Sequence, residues 1–274
     1  MKIFDCIIFN GEVDLLRMRI QELQNYVHKV VVVESDTTFS GNKKAYTDLS
    51  EFDKKVLHLK VTDGIEDYKN KQYFAFFADE PMQREFFLRN QITKGLQHAS
   101  PDDIILLSDC DEIPKLYDVS PEYDLFLFHQ DCLQLKYDLL NPGMTPFFGT
   151  VGVKFKHMGL PSELRIFHRP YVKIDAYDNL KTQTIRDGGW HFSFCMNAKK
   201  IIQKVSDYAH CERLWKHNDI NERNLDFCIE NKKDIWGGKY NTVKDTKDLV
   251  DYPHDKLPNT VKNNIESYRH MLHN

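Results

Sequence analysis

The residues best suited to chemistry lie in IILLSDCDEIP, residues 104–114, where Asp109, Asp111 and Glu112 crowd three carboxyl groups into four positions. Like charges that close repel one another, and a hard divalent cation with oxygen ligands is the simplest compensation. Magnesium or manganese held by one or two carboxylates keeps several waters and accepts phosphate oxygens from a substrate. A nucleotide diphosphate sugar meets that requirement, because the metal can neutralise the charge that grows on its leaving diphosphate. Asp is also common in turns and at helix caps, so the pattern alone leaves a solvated acidic turn open. The apolar run before Ser108 and the Glu-Ile-Pro stop after Asp111 weigh towards a buried strand that ends in carboxylates.

Stepping outward, the first half alternates apolar runs with amphipathic segments, the pattern of an α/β sheet with crossover helices. Strands are predicted over 3–9, 29–34, 56–61 and 104–108. Val13, Leu16, Ile20, Leu23 and Val27 recur at steps of three and four, which predicts a helix between the first two strands. A second helix is expected over 82–98. After Glu112 the chain becomes more β-like, with strands expected over 125–129, 133–137 and 151–155, and the last third reads as helices over 198–208, 220–231 and 258–272. Lys199, Lys200 and Lys204 most simply form the solvated face of the first of these.

In open α/β sheets ligands bind beyond the carboxyl ends of the strands. Asn10, Gly11 and Glu12 follow the first strand, and Glu34 and Ser35 the second, so both loops should face the same end as Asp109. They are candidate nucleotide-binding residues, although Asn10 to Glu12 also suit a plain strand-to-helix turn. Arg84 and Arg89 are candidates for the diphosphate, because a guanidinium can hold phosphate oxygens in a bidentate manner; an ion pair of Arg89 with Glu85 is the alternative. In GGWHFSF, residues 188–194, two glycines permit close backbone approach and Trp190 can stack on a sugar or base. Neutral His191 suits a third metal ligand or a structural imidazole beside a buried Trp.

The net charge of −4 gives no general reason to bind nucleic acid. No apolar stretch approaches the roughly 20 residues of a membrane helix. Six scattered cysteines without a CxxC pair fit free thiols and a soluble, cytoplasmic protein.

Taken together, FNGEVDLLRMRIQEL (9–23), VVVESDTTFSG (31–41), DDIILLSDCDEIP (102–114) and GGWHFSF resemble glycosyltransferase family 17. The blocks occur in the family's order, and the segments 215–238 and 258–272 are similar too. The family includes the β-1,4-mannosyl-glycoprotein 4-β-N-acetylglucosaminyltransferases. The resemblance implies an α/β, GT-A-like (Rossmann-like) nucleotide-sugar-binding sheet with flanking helices and a helical C-terminal part. One domain is expected over 1–274, with a nucleotide-binding half over 1–114 and an acceptor-binding and C-terminal half over 115–274. The implied partners are a UDP-sugar donor, with GlcNAc the expected sugar, a glycan acceptor and a divalent metal, manganese or magnesium, with inversion at the anomeric carbon. By the GT-A pattern Asp111 binds the metal directly and Asp109 contacts the donor ribose or a metal-bound water. Glu112 acts from a second shell or on the sugar. Inversion also needs a carboxylate to take the acceptor's proton, for which Asp187, Glu163 and Glu212 are candidates alongside Glu112.

Two other readings compete. A phosphatase of the haloacid dehalogenase type also places DxD after an apolar strand, but on the first strand, with Thr or Val two positions on, where this chain has Ile113. A non-catalytic sugar-binding protein on the same fold is the third.

Overall fold

A computed structural model describes residues 1–52, 54–64, 79–167, 175–207, 220–235 and 248–273. Four strands form its parallel core: β1 (Ile3–Phe9), β2 (Lys29–Ser35), β3 (Val56–Val61) and β4 (Ile104–Asp109), within 1 residue of the expected bounds. They lie in the order β3-β2-β1-β4. The chain steps outward from β1 to β3 and then crosses to the other side of β1, which makes the β1/β4 boundary a topological switch point. Apolar runs form such strands because both faces are buried. Ile104 and Leu106 pack into one core and Ile105 and Leu107 into the other, following the two-residue period of a strand.

The first face is covered by α1 (Val13–Leu23), which buries Leu15, Leu16, Met18 and Leu23. The second is covered by α2 (Glu80–Asn90), capped by Asp79, whose carboxylate accepts from Met82 N at 3.0 Å. The predicted helix over 82–98 therefore begins earlier and stops at Asn90, passing into a 3₁₀ turn over Gln91–Gly95. Thr93 Oγ1 donates back to Asn90 O at 2.9 Å, a local bond that competes with helix continuation.

The sheet continues through β5 (Glu112–Pro114), β6 (Leu125–Gln134), β7 (Leu139–Leu140) and β8 (Phe147–Lys154), and β8 is antiparallel to both β4 and β6. The strands expected over 125–129 and 133–137 differ from the observed ones: the first runs on unbroken as β6 to Gln134, and Leu135, with φ of +66°, ends it. Next come α3 (Pro161–Phe167), α4 (Asp175–Asp178), β9 (Thr182–Ile185) and β10 (Gly189–Ser193). Beyond them lie α5 (Ala198–Asp207), α6 (Glu222–Glu230), β11 (Val250–Asp251) and α7 (Asn259–Lys262). The helix expected over 258–272 is split into α7 and a 3₁₀ turn over Ile265–Met271. β10 lies between β5 and β6, with His191 opposite Glu112 on one side and Cys132 on the other. Gly189 is required there: φ is +118° and a Cβ would collide with Ile113 O.

Candidate active site at the switch point of the sheet

The acidic turn after β4 is held from behind by a buried ion pair. Arg19, on α1, grips Asp5 of β1 through Nε at 2.6 Å and Nη2 at 2.5 Å, and both side chains are wholly buried. Its remaining nitrogen, Nη1, donates to the carbonyls of Asp109 at 3.2 Å and Glu112 at 2.5 Å. One guanidinium thus ties the first strand to the turn that presents the carboxylates. Neither Arg19 nor Asp5 stood out in the sequence, although an ionisable residue inside each of two apolar patterns was the available signal.

Asp109 and Glu112 turn towards two further guanidinium groups. Arg89 Nη2 donates to Asp109 Oδ1 at 2.7 Å and to Glu85 at 2.9 Å, so the ion pair with Glu85 and the contact with the motif coexist. Arg165, on α3, donates to Asp109 Oδ2 at 3.1 Å, to Glu112 Oε1 and to Gly149 O. Burial would raise the Asp109 carboxyl, but Arg89 and Arg165 outweigh it and hold the group well below the usual carboxylate range. Glu112 is different. Burial pushes it up to about 7, with Arg165 opposing and the charges of Asp109 and Asp111 adding to the rise. Its Oε2 also accepts from Asp109 N at 3.0 Å, which closes the turn.

Asp111 points the other way. Its Oδ2 accepts from Lys204 Nζ at 2.7 Å, and its Oδ1 lies 3.8 Å from His191 Nε2. Lys204 also reaches Glu12 Oε1 at 3.3 Å, so a residue expected on a solvated helix face instead joins the β1 loop to the acidic turn. The correction has a simple cause, since α5 packs its Lys204 side across the end of the sheet, which sequence periodicity cannot show. Burial opposes the charge on Lys204, yet Asp111 and Glu12 keep it firmly protonated. Burial lowers His191 to about 4, so its imidazole is neutral near pH 7, the form that ligates metals. Among the described residues no group of three or more His, Cys, Asp or Glu side chains is arranged around a metal position. Asp111 and His191 are the side chains here whose oxygen and neutral imidazole nitrogen would suit a divalent ion that completes its shell with water and phosphate.

Glu12 and Lys204 border a cavity of about 490 Å³. Asn10, Gly11 and Glu12 form one wall, Gln203, Lys204 and Asp207 of α5 another, and Tyr137 and Tyr268 contribute aromatic surface. It lies at the carboxyl ends of the strands beside the switch point, where open α/β sheets hold their ligands. Gly11, at φ +93°, makes the turn from β1 with open space over its α-carbon.

Residues 1–122 match the sequence model of glycosyltransferase family 17. The matched stretch contains Asp5, the β1 loop, Arg19, Arg89 and the whole acidic turn. The β-1,4-mannosyl-glycoprotein 4-β-N-acetylglucosaminyltransferase of Rattus norvegicus is 23% identical over 100% of the chain, and that of Homo sapiens is 25% identical over 74% of it. These alignments cover 55% and 42% of the relatives, so the chain spans about half the length of the curated relatives it matches. The resemblance to family 17 is borne out, and the mixed sheet with flanking helices agrees with the GT-A-like fold expected of it.

Several expected site residues lie elsewhere or are engaged. Glu34 is buried and its carboxylate accepts from Lys44, from Thr47 N and Oγ1, and from His58. Ser35 accepts from Thr37 N at 3.1 Å. Arg84 is spent on Asp63, Glu80 and the Phe39 carbonyl, away from the acidic turn. Trp190 is buried, donates to Lys256 O at 3.0 Å and is covered by the Lys115 ammonium 4.7 Å from its ring, so its indole serves packing. Asp187 is exposed and pairs with Lys115 and Tyr117. Glu163 is two residues from Arg165 on α3, which places it round the helix from the acidic turn. Glu212 and Trp215 lie outside the described residues, as does Cys211. The other five cysteines are free thiols. No described helix is long and apolar enough to cross a membrane.

Proposed function

We propose that the chain is an inverting glycosyltransferase that moves a sugar, with GlcNAc the leading candidate, from a UDP-sugar to a glycan hydroxyl with the help of manganese or magnesium. The observation that carries this reading is Lys204, which lines a cavity at the sheet's switch point and there pairs with Asp111, itself 3.8 Å from His191, on a chain similar to N-acetylglucosaminyltransferases. Asp111 Oδ1 and His191 Nε2 would hold the metal, whose contribution is to neutralise charge on the departing diphosphate. Lys204 supplies a fixed positive charge at the same place, able to exchange a carboxylate partner for a phosphate oxygen. Arg89 and Arg165 keep Asp109 ionised and still. Arg19 fixes the backbone of the turn, so that the carboxylates need no rearrangement as charge develops. Asn10, Gly11 and Glu12 border the space available to the donor.

The test is incubation with a panel of UDP-sugars, with and without manganese, followed by measurement of UDP release. Metal-dependent release from at least one donor is expected. Release from none of them, with no UDP binding by calorimetry, would refute the reading.

A further inference from the structure

Of the acids that the sequence offers to take the acceptor's proton, Asp187 is exposed and paired with Lys115, and Glu112 is paired with Arg165. One carboxylate in the cavity wall has a different environment. Asp207 is only 8% exposed, yet its donors among the described residues are neutral amides: Gln203 Nε2, at 3.0 Å from both oxygens, and Asn10 Nδ2 at 3.5 Å. Among the described residues no Lys, Arg or His forms an ion pair with it. A buried carboxylate normally has a cation or several strong donors. Here the nearest lysine along the helix, Lys204, is spent on Glu12 and Asp111. Lys200, Gln203, Lys204 and Asp207 recur at helical spacing along one side of α5 and all line the cavity. Ile201 and Val205, on the opposite side, pack into a core with Leu225 and Cys228.

Resting on the transferase reading, we propose that Asp207 is the general base of the transfer and that Gln203 is its positioning residue. Lys204 and Asp207 lie one turn apart, about 4.5 Å along the helix axis at 1.5 Å per residue. The wall of the cavity thus offers a positive charge at one level and, at the next, a carboxylate that pairs with no cation among the described residues. That is what a displacement needs when a diphosphate leaves from one side and a hydroxyl attacks from the other. The acceptor hydroxyl gives its proton to Asp207 as its oxygen bonds to the anomeric carbon. The bond from that carbon to the phosphate oxygen breaks with its electron pair, leaving UDP and an inverted glycoside. The proton then passes from Asp207 to water. Gln203 holds the carboxylate without neutralising it, and Tyr268 gives the sugar an aromatic surface.

The experiment compares wild type, Asp207→Asn and Asp207→Glu, using UDP-GlcNAc, manganese and methyl β-mannoside, with UDP affinity measured by calorimetry and folding by thermal melting. A positioned base contributes about 10²- to 10⁴-fold. Asp207→Asn should therefore lower kcat by at least about a hundredfold, with UDP affinity within about twofold and an unchanged melting curve, and Asp207→Glu should recover part of the rate. Turnover by Asp207→Asn within about tenfold of wild type, or a loss confined to KM, would overturn the assignment and leave the transferase reading intact. A wild-type protein that releases UDP from no donor of the UDP-sugar panel and binds no UDP would remove both, which separates the two failures.

Discussion

The rim of the sheet is rich in charge at two places, the end of β2 and the switch between β1 and β4, and they differ in what their polar groups have left to offer. At the end of β2, Glu34 is surrounded by Lys44, Thr47 and His58, so that both oxygens are taken up. At the switch point, Asp111 leaves Oδ1 facing His191 across 3.8 Å, Asp207 accepts, among the described residues, from the amides of Gln203 and Asn10, and Lys204 borders an open cavity. Both places follow parallel strands and both carry acids, and strand-end position alone made them equal candidates. Buried polar groups that satisfy one another stabilise a fold, whereas groups with spare capacity beside a cavity are built for something that arrives.

The sharpest way to separate the two regions is to remove supports one at a time. Arg19→Leu leaves Asp5 buried without its partner and frees the carbonyls of the acidic turn, and breaking a buried pair in this way costs about 3–5 kcal/mol. Urea unfolding should show that loss in the midpoint. An unchanged midpoint would mean that the clamp behind the turn is ornamental.

Asp111→Asn is the next largest. It should cut UDP release by at least about a hundredfold, the scale of losing one preorganised charge at a reacting centre, while the melting temperature stays close to that of wild type. Retained turnover would remove Asp111 from the account even if family 17 chemistry were established.

Glu34→Gln works in the opposite sense. It weakens the bonds from Lys44, Thr47 and His58 and should lower stability by about 1–2 kcal/mol in chemical denaturation with no change in UDP release. A loss of release at full stability would restore Glu34 as a donor contact. Smallest of all is Trp190→Phe, which removes the bond to the Lys256 carbonyl and should cost about 1 kcal/mol of stability with donor affinity unaltered.

Most of the parallel core could be read in advance because β1 to β4 are short, uninterrupted apolar runs, and their bounds depend on local pattern. The same holds for Asp109 to Glu112, whose position after an apolar strand is a matter of neighbouring residues. What could not be read is which distant charges meet them. Arg19, Arg165 and Lys204 are separated from their partners in the turn by 93, 53 and 93 residues, and only the crossing of α1, α3 and α5 over the sheet brings them in. For that reason local pattern puts Lys204 on a solvated surface, makes Trp190 a stacking platform and gives no sign of Asp207. The joining of the strands expected at 125–129 and 133–137 into β6 has a similar origin. The central strand is held by β8, β9 and β10, which local polarity at His129 to Asp131 does not reveal.

The central claim, that the switch point and not the end of β2 receives the donor, is tested most directly by calorimetric titration of UDP, with manganese present, into wild type, Lys204→Met and Glu34→Gln. Removing one charge-assisted contact to a phosphate oxygen should weaken binding about tenfold or more in Lys204→Met, which corresponds to about 1.4 kcal/mol, and leave Glu34→Gln within about twofold of wild type. Equal loss in both variants, or loss in Glu34→Gln alone, would contradict the account.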